Sequence, residues 1–375
     1  MPARRPSSRL FNASGRAREL RASPLFAIGP SEPGPAIRRG FLLAVPIGLA
    51  LVLELGFNAP TKGALATGAL LNGFPGMDAP ARPRAAWQAA TAPLIGLFAA
   101  FGILSSQTAV TAILGLGLVG LLAGYFFAVS LRLAIVGLTV ALACLIAQGL
   151  FLPVSDAGPA LLYGTLGGLT QVAWSLVVWL AVDRADDEPE KAWSTRQALD
   201  ALRSNLTLAS IGARHAIRFG AVLAAGVATY RLLGMTNHGY WVPLTILFVM
   251  RPDREETDHR LVLRALGSVL GLTLATIVAE SFGADDLVVG AVLTLAAALS
   301  FGLLTVQYAL FTAAITTYVV LMTATLGEGA FEAAGQRALG TALGIAIAFL
   351  AWRLWPNPDS ALDLASQPNM GGAKS

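Results

Sequence analysis

The stretch GYWVPLTILFVMRPDREETDHRLVLRALGSVLG, residues 239–271, decides the fold. It has three parts. An apolar run from Tyr240 to Met250 carries Pro243 in its first turn. A charged turn follows, from Arg251 to Arg260. A second apolar segment then opens with Arg264, Gly267 and Gly271, whose i, i+3, i+7 spacing puts them on one helical face. The first run is too short to cross a bilayer as an ordinary helix, because spanning takes about 20 residues at about 1.5 Å each. Such a segment is broken, half-buried or packed behind other helices. In transporters, short segments of this kind mark the binding site, since irregular backbone is tolerated at membrane depth only where it lines a cavity. The competing reading is a short helix on the cytoplasmic side that closes a gap.

The rest of the chain fits a membrane setting. Of its 375 residues 55% are hydrophobic and 13% charged, against about 25% charged in an ordinary soluble domain. The mean hydropathy is +0.66. Repeated apolar stretches of about 20 residues predict a polytopic protein embedded in a lipid bilayer. The net charge of +4 is small and calls for no nucleic acid. Cys144 is the single cysteine, which excludes an intramolecular disulfide and a cysteine-based metal site. His215, His238 and His259 are scattered without zinc-site spacing, and no cofactor is expected.

Helical segments are predicted near 41–57, 63–74, 87–104, 108–129, 131–152 and 160–182, and again near 214–234, 239–250, 260–280, 286–304, 307–326 and 336–355. Residues 1–35 are rich in Arg, Ser and Pro. They read as a disordered basic cytoplasmic tail, with a transit peptide as the rival. Residues 36–182 form a first six-helix membrane bundle and 214–356 a second. Between them, 183–213 opens with Asp183, Asp186, Asp187, Glu188 and Glu190. It then sets Leu199, Leu202 and Leu206 at helical spacing, which predicts an amphipathic linker helix on the cytoplasmic face. Residues 357–375 read as a disordered tail. Arg82, Arg84, Arg132, Arg184, Lys191, Arg196, Arg203, Arg251, Arg254 and Arg260 fall on one side, and Lys62, Arg231 and Arg337 on the other. That bias puts both termini in the cytoplasm, with twelve crossings.

The chain also matches itself. AIRRG at 36–40 aligns without gaps with AIRFG at 216–220, Arg84-Ala with Arg264-Ala, and the short second segment with the short eighth. The fold class is therefore all-α: about twelve transmembrane helices in two six-helix parallel repeats. RALGSVLG at 264–271 recurs as RALGTALG at 337–344, three helices later and running the opposite way. Each half therefore reads, as a hypothesis, as an inverted three-plus-three repeat. Small residues four apart let helices approach closely, and the arginine shares that face.

One motif misleads. Gly115, Gly117 and Gly120 spell GxGxxG, but inside a long apolar helix and with no strand before it, so helix packing explains them. No P-loop, nucleophile elbow or paired carboxylates occur, and no enzymatic activity is expected.

The candidate binding residues are Arg264, Arg251, Arg84, Trp241, Tyr240 and Thr245. An arginine near membrane depth costs about 2.5–3.5 kcal/mol on insertion scales and is kept for an anion, a carboxylate partner or snorkelling. Arg84 repeats Arg264, and such a pair suits a carboxylate held by bidentate hydrogen bonds. The alternatives are lipid phosphate, or pairing with Asp253, Glu255, Glu256 or Asp258. Tyr240 and Trp241 are suited to stacking on an aromatic ring, or to the interfacial belt at the outer end. Thr245 either donates to a substrate oxygen or bonds back within its helix. Glu54 is the acid best placed for proton coupling, with Lys62 as a neighbour that would neutralise it.

Tyr240-Trp241, Pro243, Thr245, Arg251-Pro252, Thr257, Arg260 and Arg264-Ala-Leu-Gly267-Ser-x-x-Gly271, preceded by ArgHisAlaIleArg at 214–218, resemble the signature of the fusaric acid resistance (FUSC) family of bacterial inner-membrane proteins. That family includes aromatic acid exporters. A similar Trp…Pro…Thr…Arg-x-Leu-Gly pattern occurs in plant aluminium-activated malate channels. The helix layout extends the resemblance over about residues 36–356. It implies an inner-membrane transporter that exports small organic anions such as aromatic carboxylates, driven by the proton-motive force. A passive organic-anion channel and a non-transporting membrane scaffold are the alternatives. Larger family members carry a long soluble domain between the halves. The linker of about 30 residues here departs from them, which implies loss of regulation or of an adaptor partner. Substrate, direction and oligomeric state stay open, a homo-oligomer among the options.

Overall fold

The structure, a computed structural model, describes residues 32–56, 63–127, 129–183, 203, 210–235, 239–282, 286–325 and 330–355. Most of the basic N-terminal tail, most of the 183–213 linker with its amphipathic helix, Lys62 and the C-terminal tail lie outside the described residues. Among the described residues there are twelve α-helices and no strand. The first six are α1 (Pro33–Leu51), α2 (Ala64–Asn72), α3 (Ala81–Ser105), α4 (Ala109–Phe126), α5 (Leu131–Gly149) and α6 (Ala157–Val178). The second six are α7 (Ile211–Leu232), α8 (Trp241–Val249), α9 (Arg254–Phe282), α10 (Asp286–Leu303), α11 (Tyr308–Thr325) and α12 (Ala330–Leu354).

Each expected segment is a helix, and the lengths repeat in order. Helices α1 to α6 have 19, 9, 25, 18, 19 and 22 residues, and α7 to α12 have 22, 9, 29, 18, 18 and 25. The two nine-residue helices occupy the same place in each half. Local chemistry stops both early. Helix α2 starts after Gly63, whose φ is 76°, and ends at Gly73, with Pro75 just beyond. Helix α8 ends where Met250 turns extended, at ψ 129°, ahead of Arg251-Pro252. A residue before proline is pushed out of the helical region, which blocks continuation.

Among the described residues, eight helices are long and apolar enough to cross a membrane: α1, α3, α4, α5, α6, α9, α11 and α12. Helices α2 and α8 extend only about 14 Å, against a hydrocarbon core of about 30 Å. Helix α10 offers a 17-residue apolar stretch, Leu287–Leu303. Helix α7 carries Arg214, His215, Arg218 and Arg231. Apolar side chains face outward as a bilayer requires, and some polar ones are buried within the bundle. Leu114, Leu118, Val262, Leu266, Val269 and Ile277 are exposed, while Arg264, Arg337, Gln88 and Gln148 are buried.

The two halves interlock instead of standing side by side. Helix α1 packs along α10 of the second half, and its repeat mate α7 packs along α4 of the first. Close backbone approach makes both contacts. A Cβ on Gly40 would meet the Ala298 carbonyl and the Gly302 backbone, and one on Gly220 would meet the Gly117 carbonyl and the Leu121 backbone. Polar side chains then tie α6 to α1. Pro46 lies inside α1 and takes away the donor for the Leu42 carbonyl. Trp174 Nε1 donates to that carbonyl at 2.7 Å, and Gln171 Nε2 donates to the Leu43 carbonyl at 2.8 Å.

The second half also shows the contact pattern expected of an inverted repeat. Helix α9 packs on α11, and α12 packs on α8, so that exchanging α8 with α11 and α9 with α12 maps one contact onto the other. The two Arg-Ala-Leu-Gly motifs make these contacts. Gly267 and Gly271 fit against Thr312 and Thr316 of α11, and Gly340 and Gly344 fit against Trp241 and Thr245 of α8.

Replacing Gly40 or Gly220 by Val is expected to cost about 1–3 kcal/mol through overpacking. Thermal denaturation of the detergent-purified variants measures this. Gly158→Ala is the control with unchanged stability, because nothing lies within 4 Å of a Cβ added there.

Candidate functional site

Helix α8 sits at the centre of the second half, and eight of its nine residues are buried. Its two ends each carry an aromatic ring that supports an arginine from another helix. At the α8 C-terminus the Arg264 guanidinium of α9 lies 4.7 Å from the Phe248 ring centre. At the α8 N-terminus the Arg337 guanidinium of α12 lies 5.0 Å from the Trp241 ring centre. Both arginines are fully buried. Cation–π contact of this kind is worth about 2 kcal/mol when desolvated, which does not replace a counter-charge.

Neither arginine has such a counter-charge among the described residues. No hydrogen bond of good geometry reaches Nε, Nη1 or Nη2 of either side chain there. Tyr308 stands beside Arg264 as a neutral acceptor, its own hydroxyl proton donated to the Phe248 carbonyl at 3.1 Å. Tyr240 stands beside Arg337 in the same way. The same helices, α8, α9, α11 and α12, carry buried hydroxyls without hydrogen-bond partners among the described residues: Thr245, Ser268, Thr312, Thr316 and Thr341. Buried polar groups are normally satisfied, because leaving one unmade costs about 1–3 kcal/mol. Two buried guanidiniums surrounded by neutral groups, with no carboxylate partner among the described residues, are suited to an anion.

The residues singled out by sequence separate into three places. Arg264, Trp241 and Thr245 belong to this cluster. Thr245 does not bond back within its helix, and its hydroxyl has no partner among the described residues. Tyr240 and Trp241 are both buried, which corrects the interfacial-belt reading. Tyr240 fits against Gly149 of α5, and Trp241 against Gly340 of α12.

Arg251 lies in the charged turn beyond α8. Its Nη1 donates to the Met250 carbonyl at 2.7 Å, and its Nε is 3.9 Å from Glu256. Arg260 takes the same carboxylate at 3.0 Å. Trp352 of α12 donates to Thr257 at 3.1 Å, which pins the turn to the end of α12. Arg84 sits between α3 and α6. Its Nε donates to Ser175 Oγ at 3.1 Å, and that hydroxyl donates to Gln88 at 2.6 Å. The repeat partner of Arg264 thus contacts its own half of the molecule.

Glu54 lies in the π-helical turn that ends α1. Its carboxylate accepts the Leu65 N–H at 2.9 Å and the Ala66 N–H at 3.3 Å. These are first-turn amides of α2, so Glu54 caps that helix.

Arg337 is the residue that sequence reasoning left out of the site. The signal was present, since its motif repeats that of Arg264. Placing it at the outer end of a helix made it look like a loop charge. An apolar cleft between α2, α3, α5 and α6, lined by Gly63, Leu71, Ile95, Ile146 and Leu150, has Asp156 as its charged residue and contains none of these arginines.

Glu54→Ala removes a helix cap and is expected to lower stability by about 0.5–2 kcal/mol. A thermal melt in detergent reads this. An unshifted melt with an altered pH profile of flux would instead assign the carboxylate to proton coupling.

Comparison with known proteins bears on the same half of the molecule. Residues 222–351 match the family described as fusaric acid resistance protein-like. The inner membrane protein YccS of Escherichia coli is 40% identical over 147 residues, which is 38% of this chain and 20% of that protein. An uncharacterized protein of Neisseria gonorrhoeae is 30% identical over 165 residues, 44% of this chain and 39% of its own length. One of Haemophilus influenzae is 32% identical over 155 residues, 41% of this chain and 21% of its own. The matches therefore span less than half the length of these relatives. No solved structure matches the chain. Residues 222–351, which hold the arginine pair, are thus similar to the fusaric acid resistance protein-like family.

Proposed function

We propose that the protein is an inner-membrane transporter of the efflux type that moves small organic anions. The observation that carries this reading is the pair Arg264 and Arg337, fully buried and without a carboxylate partner among the described residues. A guanidinium offers five donors in a planar fork that matches a carboxylate. The rings of Phe248 and Trp241 beside these forks suit an aromatic carboxylate. The inner-membrane location and the efflux direction rest on the family description and on the name of the Escherichia coli relative.

A passive anion channel is the second reading. It draws on the position of Glu54, whose two amide donors hold it as a helix cap and so give it a structural role.

Flux in proteoliposomes separates these readings. Vesicles are loaded with benzoate, salicylate or malate, and a pH gradient or a voltage is imposed separately. Uphill movement on the pH gradient is the result expected for a proton-coupled transporter. Downhill movement that follows voltage alone makes the protein a channel. Arg264→Ala is expected to insert normally and lose flux of every anion that the wild type carries. Absence of flux in the wild type contradicts both readings.

A further inference from the structure

We infer that Arg337 forms a second anion station, distinct from that of Arg264, and that a carboxylate is handed from one to the other along α8. The inference rests on the anion-transport reading above and adds a second site and a path.

Separate ring supports distinguish the stations. Arg264 rests on Phe248 and Arg337 on Trp241, seven residues apart on one short helix. That puts about 10 Å along the axis between the two ring positions. The two oxygens of one carboxylate are about 2 Å apart, so a single carboxylate cannot satisfy both forks in the bidentate geometry that gives them their strength.

Construction makes the stations equivalent. Each arginine opens an Arg-Ala-Leu-Gly-x-x-x-Gly run, and each run packs against a helix carrying a buried threonine without a hydrogen-bond partner. Ser268 and Thr341 follow their arginines by four residues, and both hydroxyls are buried without partners. Each arginine has a tyrosine beside it, Tyr308 at one end and Tyr240 at the other. Chance burial of a single stray arginine would not reproduce the second set.

Electrostatics then supplies the hand-over. Two positive charges inside one bundle repel each other. An anion at one station neutralises one charge and leaves the other attracting it. Thr245, midway along α8 with an unpartnered hydroxyl, can donate in transit. Multiple sites of moderate strength allow an anion to enter and still leave, which one deep site does not.

The test measures benzoate movement in each direction across vesicles of uniform orientation. Arg264→Gln is expected to raise the half-saturation concentration about tenfold for entry from one face and to leave the other face within about twofold. Arg337→Gln is expected to do the converse. A tenfold change is what loss of one charge-assisted hydrogen bond produces. Maximal rates should fall in both directions for both variants, because every anion passes both stations. Arg337→Lys keeps the charge without the fork and is expected to weaken entry from the same face as Arg337→Gln, which covers failure of that variant to fold. Weakening of entry from the same face by both the Arg264 and Arg337 substitutions would overturn the inference in favour of a single site. Wild-type kinetics in both Arg337 variants would remove Arg337 from the path. No benzoate movement in the wild type would overturn the transport reading itself.

Discussion

A guanidinium that never loses its charge cannot sit inside an apolar bundle without something negative to answer it. The second half of this molecule is arranged around two of them. Born solvation makes the bare charge expensive, and the arginine keeps its proton where a lysine would give it up. The nearby carboxylates do not serve Arg264 or Arg337. Glu256 is taken by Arg251 and Arg260, and Glu54 by the first amides of α2. Neither guanidinium has a carboxylate partner among the described residues.

Close helix packing is what allows the arginines to be so deep. Each sits one turn ahead of a glycine pair that brings its helix against the next backbone. Larger residues at Gly267 or Gly344 would push α9 from α11, or α12 from α8, and let lipid or solvent reach the guanidinium. In a bilayer the apolar surface of a helix gains little by meeting another helix, so packing and interhelical hydrogen bonds carry the association. The interlocking of α1 with α10 and α7 with α4 follows the same rule. It joins the two halves through the membrane region, whatever the linker between them does.

Much of the fold was legible in the sequence. Apolar runs, their lengths and the AIRRG and AIRFG match gave twelve helices in two ordered sets. The repeated Arg-Ala-Leu-Gly motif gave the inverted relation within the second half. The interlocking was not legible, because Gly40 and Gly220 announce a close approach without naming the partner. The site was legible in part. Arg264, Trp241 and Thr245 stood out by their place in a short segment. Arg251 and Arg84 looked the same in sequence and turned out to have protein partners, Glu256 and Ser175. Burial of Tyr240 and Trp241 depends on which helices cover α8, and no periodicity within α8 reports that. Arg337 was masked by a crossing count that set it in a loop region, whereas its guanidinium reaches back over Trp241.

The most direct measurement is an anomalous difference map from crystals of the protein grown with 4-bromobenzoate. Binding of anions by the unpartnered arginines predicts bromine peaks beside the two ends of α8, with the carboxylate of each ligand turned toward Arg264 or Arg337. Peaks confined to the apolar cleft between α2, α3, α5 and α6, or arginines engaged by carboxylates of the protein itself, would contradict it.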